Sequence, residues 1–272
     1  MINNTFWKNK NILITGINGF VGSNLAKYFI SLGANVFGIS KKIIDNSLLD
    51  YENLSQNVNF NLISLCDYEV VCSFFKTNQI DVCFHLAAQV EVGMAKKYPF
   101  STWETNVKGT YTLLEILREN KNSLKSIIVA SSDKAYGEVK NRNYLENDNL
   151  SSIYPYDLSK TCSDLICQSY FTVYKLNVAI VRCGNLFGPG DFNLNRIIPE
   201  TIISLINNKR VKIRSSGKLV RDYLYVDDAV NAYYMIMKTL EKYKNRKLLI
   251  YNVGSKYNLS VLQLVNLILD LM

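Results

Sequence analysis

Histidine is almost missing from this chain: His85 is the only one in 272 residues. A single imidazole argues against a histidine-rich zinc site and leaves a Ser-His-Asp triad little support, so no metal site is expected. The six cysteines (Cys66, Cys72, Cys83, Cys162, Cys167 and Cys183) lack C-x-x-C spacing and lie mostly in apolar runs. Buried free thiols are the expectation. No window approaches the roughly 20 uninterrupted apolar residues of a membrane span. Met1 to Lys10 is polar and has no signal-peptide core. These absences predict a cytoplasmic protein with no membrane partner.

What is present suits one sizeable domain with a small appended lobe. Apolar residues make up 48% and charged residues 20%, ordinary for a soluble enzyme. The net charge of +8 is dispersed, with only short pairs such as Lys41-Lys42 and Lys96-Lys97. That pattern reads as a solvated surface, not a nucleic-acid stripe, although positive potential would attract a diphosphate substrate.

Short β-branched runs alternate with amphipathic stretches. Strands are predicted at Asn11–Thr15, Asn35–Ile39, Val58–Leu62, Asp81–Leu86, Lys125–Ser131, Val178–Arg182 and Leu249–Val253. Helices are predicted at Val21–Leu32, Tyr68–Lys76, Pro99–Asn120, Tyr154–Lys175 and Asp227–Tyr243. Near-continuous apolar strands separated by helices imply an α/β fold, a doubly wound parallel sheet covered on both faces. The alternation breaks after Asn185, where a helix at Ile197–Asn208 and a strand at Val211–Arg214 are expected. Residues 1–185 with about 226–252 are read as the main domain, and about 186–225 with 253–272 as a substrate lobe. A last helix, N-capped by Ser260, is expected to run to Met272 without a stop signal, so the chain is expected to end inside an element.

The first strand runs into Thr15-Gly16-Ile17-Asn18-Gly19-Phe20-Val21-Gly22, which opens the first helix. Gly16 permits a tight turn, Gly19 lets a pyrophosphate approach the backbone, and Gly22 lets helix and strand pack closely. The helix N-terminus then offers free N–H groups to phosphates. The expectation is a Rossmann-type dinucleotide site, using Gly16, Asn18, Gly19, Phe20, Val21 and Gly22. The second strand ends Ser40-Lys41-Lys42 with no carboxylate, which leans toward NADP over NAD.

The G-x-x-G-x-x-G spacing resembles the extended branch of the short-chain dehydrogenase/reductase superfamily, the NAD-dependent epimerase/dehydratase family. His85-Leu86-Ala87-Ala88-Gln89 resembles its strand-four motif and Asn106-Val107-Lys108-Gly109-Thr110 its helix-four motif. The resemblance implies cofactor contacts from Leu65, Leu86, Ala87, Ala88 and Asn106, and a substrate contact from Gln89. His85 itself is read as a strand-end residue without a proton-transfer role. Ser64 stands where the branch usually has Asp.

Tyr156 and Lys160 are one helical turn apart, so a phenolate and an ammonium are expected side by side. With Ser132 they resemble the branch's catalytic set, in which Tyr156 and Lys160 also touch the cofactor. The next two residues, Asp133 and Lys134, resemble the CDP-glucose 4,6-dehydratase group. The resemblance implies oxidation at C4 of a sugar, proton removal from C5 by a neutral Lys134, and departure of the C6 hydroxyl with a proton from Asp133. Alternatives are an epimerase or reductase in which Asp133 and Lys134 merely pair, and a non-catalytic NAD(P)-bound protein.

Arg182-Cys183-Gly184-Asn185-Leu186-Phe187-Gly188-Pro189 resembles the branch's R-x-x-N-x-[YF]-G-P segment, which assigns Asn185 to the sugar diphosphate. Arg221-Asp222-Tyr223 resembles a phosphate-binding segment, and Arg196 is a second candidate cation. The implied partners are a nucleotide-diphosphate hexose and a second copy of the chain. The homodimer would pack through the Pro99–Asn120 and Tyr154–Lys175 helices.

Overall fold

A computed structural model describes residues 6–44, 47–119, 124–138, 142–243 and 246–272. Its strands are β1 (Asn11–Thr15), β2 (Asn35–Ser40), β3 (Val58–Leu62), β4 (Val82–His85), β5 (Ser126–Ser132), β6 (Val178–Cys183), β7 (Asn185–Phe187), β8 (Val220–Tyr225), β9 (Leu249–Val253) and β10 (Asn258–Ser260). The helices are α1 (Phe20–Ser31), α2 (Leu48–Tyr51), α3 (Tyr68–Thr77), α4 (Val92–Lys97), α5 (Pro99–Thr102), α6 (Gly109–Glu119), α7 (Pro155–Tyr174), α8 (Ile197–Ile206), α9 (Val226–Tyr243) and α10 (Val261–Leu271).

Seven strands form one parallel sheet in the order β3-β2-β1-β4-β5-β6-β9. Successive residues of a strand face opposite sides, and β1 shows the result. Ile12 and Ile14 join the core under α1 and α9, with Leu25, Phe29, Tyr233 and Met237. Leu13 joins the other core, under α3, α6 and α7, with Phe74, Leu113 and Cys167. Chain order reverses between β1 and β4, so a crevice opens at their carboxyl ends, where Thr15 lies level with His85. Farther along the sheet, Ser132 at the end of β5 lies level with Cys183.

β7, α8 and β8 fall in the stretch where the alternation was expected to break, and β10, from beyond β9, completes their small sheet. Two local expectations are corrected. Val211–Arg214 forms no strand; Val211 and Ile213 are half-buried, Lys212 and Arg214 are exposed, and the segment belongs to neither sheet, whereas β8 finds β7 and β10. The helix expected over Pro99–Asn120 is interrupted by a π-helical stretch, Trp103–Lys108, between α5 and α6. There the Asn106 carbonyl accepts from Thr110 Oγ1 (2.6 Å) and Ser163 Oγ (2.8 Å), which favours the wider turn. Asn120 and residues 1–5 lie outside the described residues. Ser260 caps α10 as expected, its Oγ accepting from Gln263 N at 3.2 Å.

Behind the crevice, Arg182 on β6 grips Asp164 on α7 with two hydrogen bonds, Nε–Oδ2 at 2.8 Å and Nη2–Oδ1 at 2.9 Å. Both side chains are fully buried. Arg182 also donates to Tyr136 Oη at 2.6 Å, and Ser131 Oγ donates to Asp164 at 2.8 Å. Asp164→Asn leaves a buried guanidinium uncompensated and should cost about 3–5 kcal/mol. Thermal unfolding checks this: a Tm drop of roughly 10 °C is expected.

Candidate active site

A cavity of about 430 Å³ lies at the carboxyl ends of the central strands. Val21, Leu86, Ser132, Asp133, Lys134, Tyr156, Lys160, Asn185, Arg196 and Arg221 all line it. Ser132 ends β5, and its Oγ donates to Asp133 Oδ1 at 3.0 Å while accepting from Lys134 N at 3.2 Å. The chain then turns through Asp133–Tyr136 and leaves at Gly137, whose φ of 73° suits glycine. Lys134 Nζ stands 3.9 Å from Asp133 Oδ1, a loose pair with both side chains partly exposed. Such a contact leaves an amine and a carboxyl facing the same small space.

Tyr156 and Lys160 come from the first turns of α7, which starts at Pro155. Burial pushes the Tyr156 phenol up to about 12, and the charges of Asp133 and Asp157 add to that push. A Ser132 hydrogen bond and the Arg196 charge oppose it. Lys160 Nζ donates to Ala130 O at 2.9 Å, and burial brings its ammonium down to about 8. Among the protein's own groups, burial outweighs the charges that favour the phenolate, and Lys160 bonds a β5 carbonyl. Asp157 Oδ1 is buried without a hydrogen-bond partner, and burial raises that carboxyl.

The glycine turn fits a dinucleotide diphosphate. Gly16 has φ 71°, and a Cβ there would lie 2.9 Å from Ala87 Cα. A Cβ on Gly22 would lie 2.8 Å from Ile17 Cα, so only glycine lets α1 start this close to β1. Gly19 is the N-cap of α1 and donates to Gly16 O at 3.0 Å. The N–H groups of Phe20, Val21 and Gly22 belong to a first turn, which lacks intrahelical acceptors and suits an anion. If a nicotinamide dinucleotide is bound there, it supplies a hydride acceptor and, when oxidised, positive charge.

Other cofactor candidates shape the cradle. Asn18 Nδ2 and Ser40 Oγ both donate to Lys42 O, at 2.8 and 2.9 Å, and so fix the turn after β2. Lys41 Nζ reaches Thr105 Oγ1 at 3.1 Å, and Lys42 is exposed. Leu65 is buried against the backbone of Gly109, and Ala87 and Ala88 are half-buried where the chain leaves β4. Asn106 spends its amide inside the protein: Oδ1 accepts from Gln89 N, and Nδ2 donates to Gln89 O and Ser159 Oγ. Gln89 stands outside the cavity wall; its Nε2 donates to Glu91 O, and its Oε1 is buried without a partner. His85 is held at both ring nitrogens, by Thr15 Oγ1 at 2.8 Å and Thr110 Oγ1 at 3.0 Å. Burial, reinforced by Lys160, pushes it down to about 3, so it is neutral.

On the far wall, Asn185 Nδ2 donates to Asp222 O at 3.3 Å, and Arg221 is exposed with a bond to its own neighbour, Val220 O. Arg196 pairs with Asp191 at 3.3 Å. The sequence reading missed Tyr223, Asn195 and Tyr233 as cavity residues. Tyr223 was findable, because it stands two residues from Arg221 on β8 and so shares its face. Tyr233 projects from α9, whose helical pattern carries no hint of it.

The sequence profile of the NAD dependent epimerase/dehydratase family matches residues 12–254. A dTDP-D-glucose 4,6-dehydratase of Dictyostelium discoideum is 34% identical over 96% of this chain, which spans 62% of that protein's length. A CDP-glucose 4,6-dehydratase of Salmonella typhimurium is 30% identical, with 95% of this chain and 72% of that protein covered. Among solved structures, the dTDP-glucose 4,6-dehydratase of Bacillus anthracis in complex with NAD superposes with a TM-score of 0.84 at 26% identity, covering 96% of this chain and 81% of that one. The UDP-glucose 4-epimerase of Thermotoga maritima, with UDP-glucose, gives the same TM-score at 28% identity, covering 96% and 82%. With its glycine cradle and its Ser132, Tyr156 and Lys160 in one crevice, this chain belongs to the NAD dependent epimerase/dehydratase family.

Proposed function

We propose that the protein is a nucleotide-sugar 4,6-dehydratase, forming an NDP-4-keto-6-deoxyhexose. The observation that carries this reading is the Asp133–Lys134 pair, placed in one cavity with Ser132 and Tyr156. Ser132 holds the C4 hydroxyl, and Tyr156 takes its proton as that carbon is oxidised. The resulting ketone acidifies C5, and Lys134 removes the C5 proton. Asp133 gives a proton to the C6 hydroxyl, which leaves as water. The C4 hydride, which a bound nicotinamide would hold in the interval, returns to C6 as C5 is reprotonated, so oxidation and reduction balance. Arg221, Arg196 and Asn185 face the diphosphate.

The rival is an epimerase or reductase on the same Ser132, Tyr156 and Lys160; the 3.9 Å contact that lets Asp133 and Lys134 neutralise each other is the observation in its favour. Incubation with dTDP-, CDP-, UDP- and GDP-glucose in heavy water separates the two. A product lighter by one water and deuterated at C5 is expected; an epimer of unchanged mass overturns the dehydratase.

NADP remains the favoured dinucleotide in this reading, on Ser40, Lys41 and Lys42 with no carboxylate at the end of β2. Comparative binding of NAD⁺ and NADP⁺ decides it. The homodimer reading draws on exposed Phe100 on α5 and exposed Leu165 and Val173 on α7. Sedimentation of the full chain tests it.

A further inference from the structure

Arg196 sits where the two halves of the crevice meet. It is the N-cap residue of α8 and lines the cavity with the catalytic set. Its guanidinium carbon also lies 5.7 Å from the ring centroid of Phe20. Phe20 is the first residue of α1, at the helix end that suits a dinucleotide diphosphate. Asp191 engages one terminal nitrogen of Arg196, and a guanidinium has five N–H donors. The charge is also near enough to Tyr156 to favour its ionised form.

The segment that carries Arg196 is fastened to the dinucleotide half at three points. Asn24 Nδ2, on α1, donates to Pro189 O at 2.9 Å. Gly190 packs so closely on Leu48 of α2 that a Cβ would lie 3.0 Å from the Leu48 Cβ. The rings of Tyr51 and Phe192 meet at 5.3 Å. Arg196 is therefore presented from a platform built on α1 and α2, although chain order places it among the substrate residues.

We infer that Arg196 is a cation shared by both ligands, and that it binds the diphosphate of the dinucleotide as well as facing the nucleotide sugar. A single guanidinium can bridge two anions because its donors fan out in one plane. Asp191 holds it in place until the phosphates arrive. Binding of either ligand then fixes the arginine for the other, so the two affinities are coupled, and by the same factor in both directions. The inference rests on dinucleotide binding and not on dehydration.

The test is calorimetric titration of the full chain with NAD⁺, NADP⁺ and ADP-ribose, with no sugar nucleotide present. Arg196→Gln should weaken the preferred dinucleotide and ADP-ribose by about tenfold, and Arg196→Lys by less. Competition by adenosine, which has no phosphate, should be unaltered. Unchanged affinity for all three diphosphates in a folded Arg196→Gln variant overturns the proposal, including when KM for the sugar nucleotide rises. If Arg196→Gln does not fold, Arg196→Lys decides: affinity equal to that of the unmodified protein overturns it. Since no sugar is turned over, the result stands apart from whether water is lost.

Discussion

Tyr156→Phe should abolish turnover, by at least about a thousandfold in kcat/KM, while leaving the fold intact. The substitution removes one oxygen and keeps the ring. Its hydrogen-bond partner, Ser132, retains Asp133 Oδ1 and Lys134 N, so no buried group is stranded. A Tm within a few degrees of the unmodified protein is the control. The pH profile adds a second readout, and its sign follows from the environment. The phenol must lose its proton to act as base, and burial with Asp133 pushes it up to about 12. The reactive form is thus a minor species at neutrality, and kcat/KM should climb with pH. Removing the phenol should remove that climb. A Tyr156→Phe variant retaining a tenth or more of the activity would exclude Tyr156 as the base.

The sheet was legible because strands buried on both faces carry a signal that tertiary contacts reinforce. β1, buried along nearly its whole length, has the bounds read from its apolar run, and the edge strands β3 and β9 keep theirs although β3 is half-buried or exposed throughout. The π-helical stretch was not legible, because it arises from Thr110 and Ser163 bonding one carbonyl, and Ser163 lies 57 residues away on α7. The same holds for β8, whose partners β7 and β10 are distant in sequence. In the site, the convergence of Ser132, Tyr156, Lys160, Asn185 and Arg221 on one cavity was legible from motif spacing and resemblance, whereas Gln89 stands outside it. Their electrostatics were not. Helical spacing puts Tyr156 and Lys160 on one face, yet it says nothing about Ala130 O, which takes the Lys160 ammonium, or about Asp133, whose charge raises the phenol. Arg196 reads from sequence as a helix-start cation, and only the folded chain brings it to Phe20.

Asp133→Asn and Lys134→Met should stop the reaction at different bonds, and their contrast is the sharpest test of elimination. Each removes one proton-transfer group, so dehydration should fall about 10²–10⁴-fold in either variant. In Asp133→Asn the Ser132, Tyr156 and Lys160 set remains, and under the proposed scheme Lys134 can still take the C5 proton. Oxidation at C4 and its reversal continue, so recovered sugar nucleotide should carry solvent deuterium at C5 without having lost water. In Lys134→Met no base faces C5, and the recovered substrate should be unlabelled. Asparagine at position 133 also deletes a negative charge that raises Tyr156, which should move the alkaline rise of C5 exchange to lower pH. The two residues contact each other at 3.9 Å, so their effects should not add; the double variant should resemble Lys134→Met, because C5 deprotonation precedes departure of the hydroxyl. If both single variants still release water at near-normal rates, the pair is an ion pair and nothing more, and the protein turns sugars over by the epimerase route.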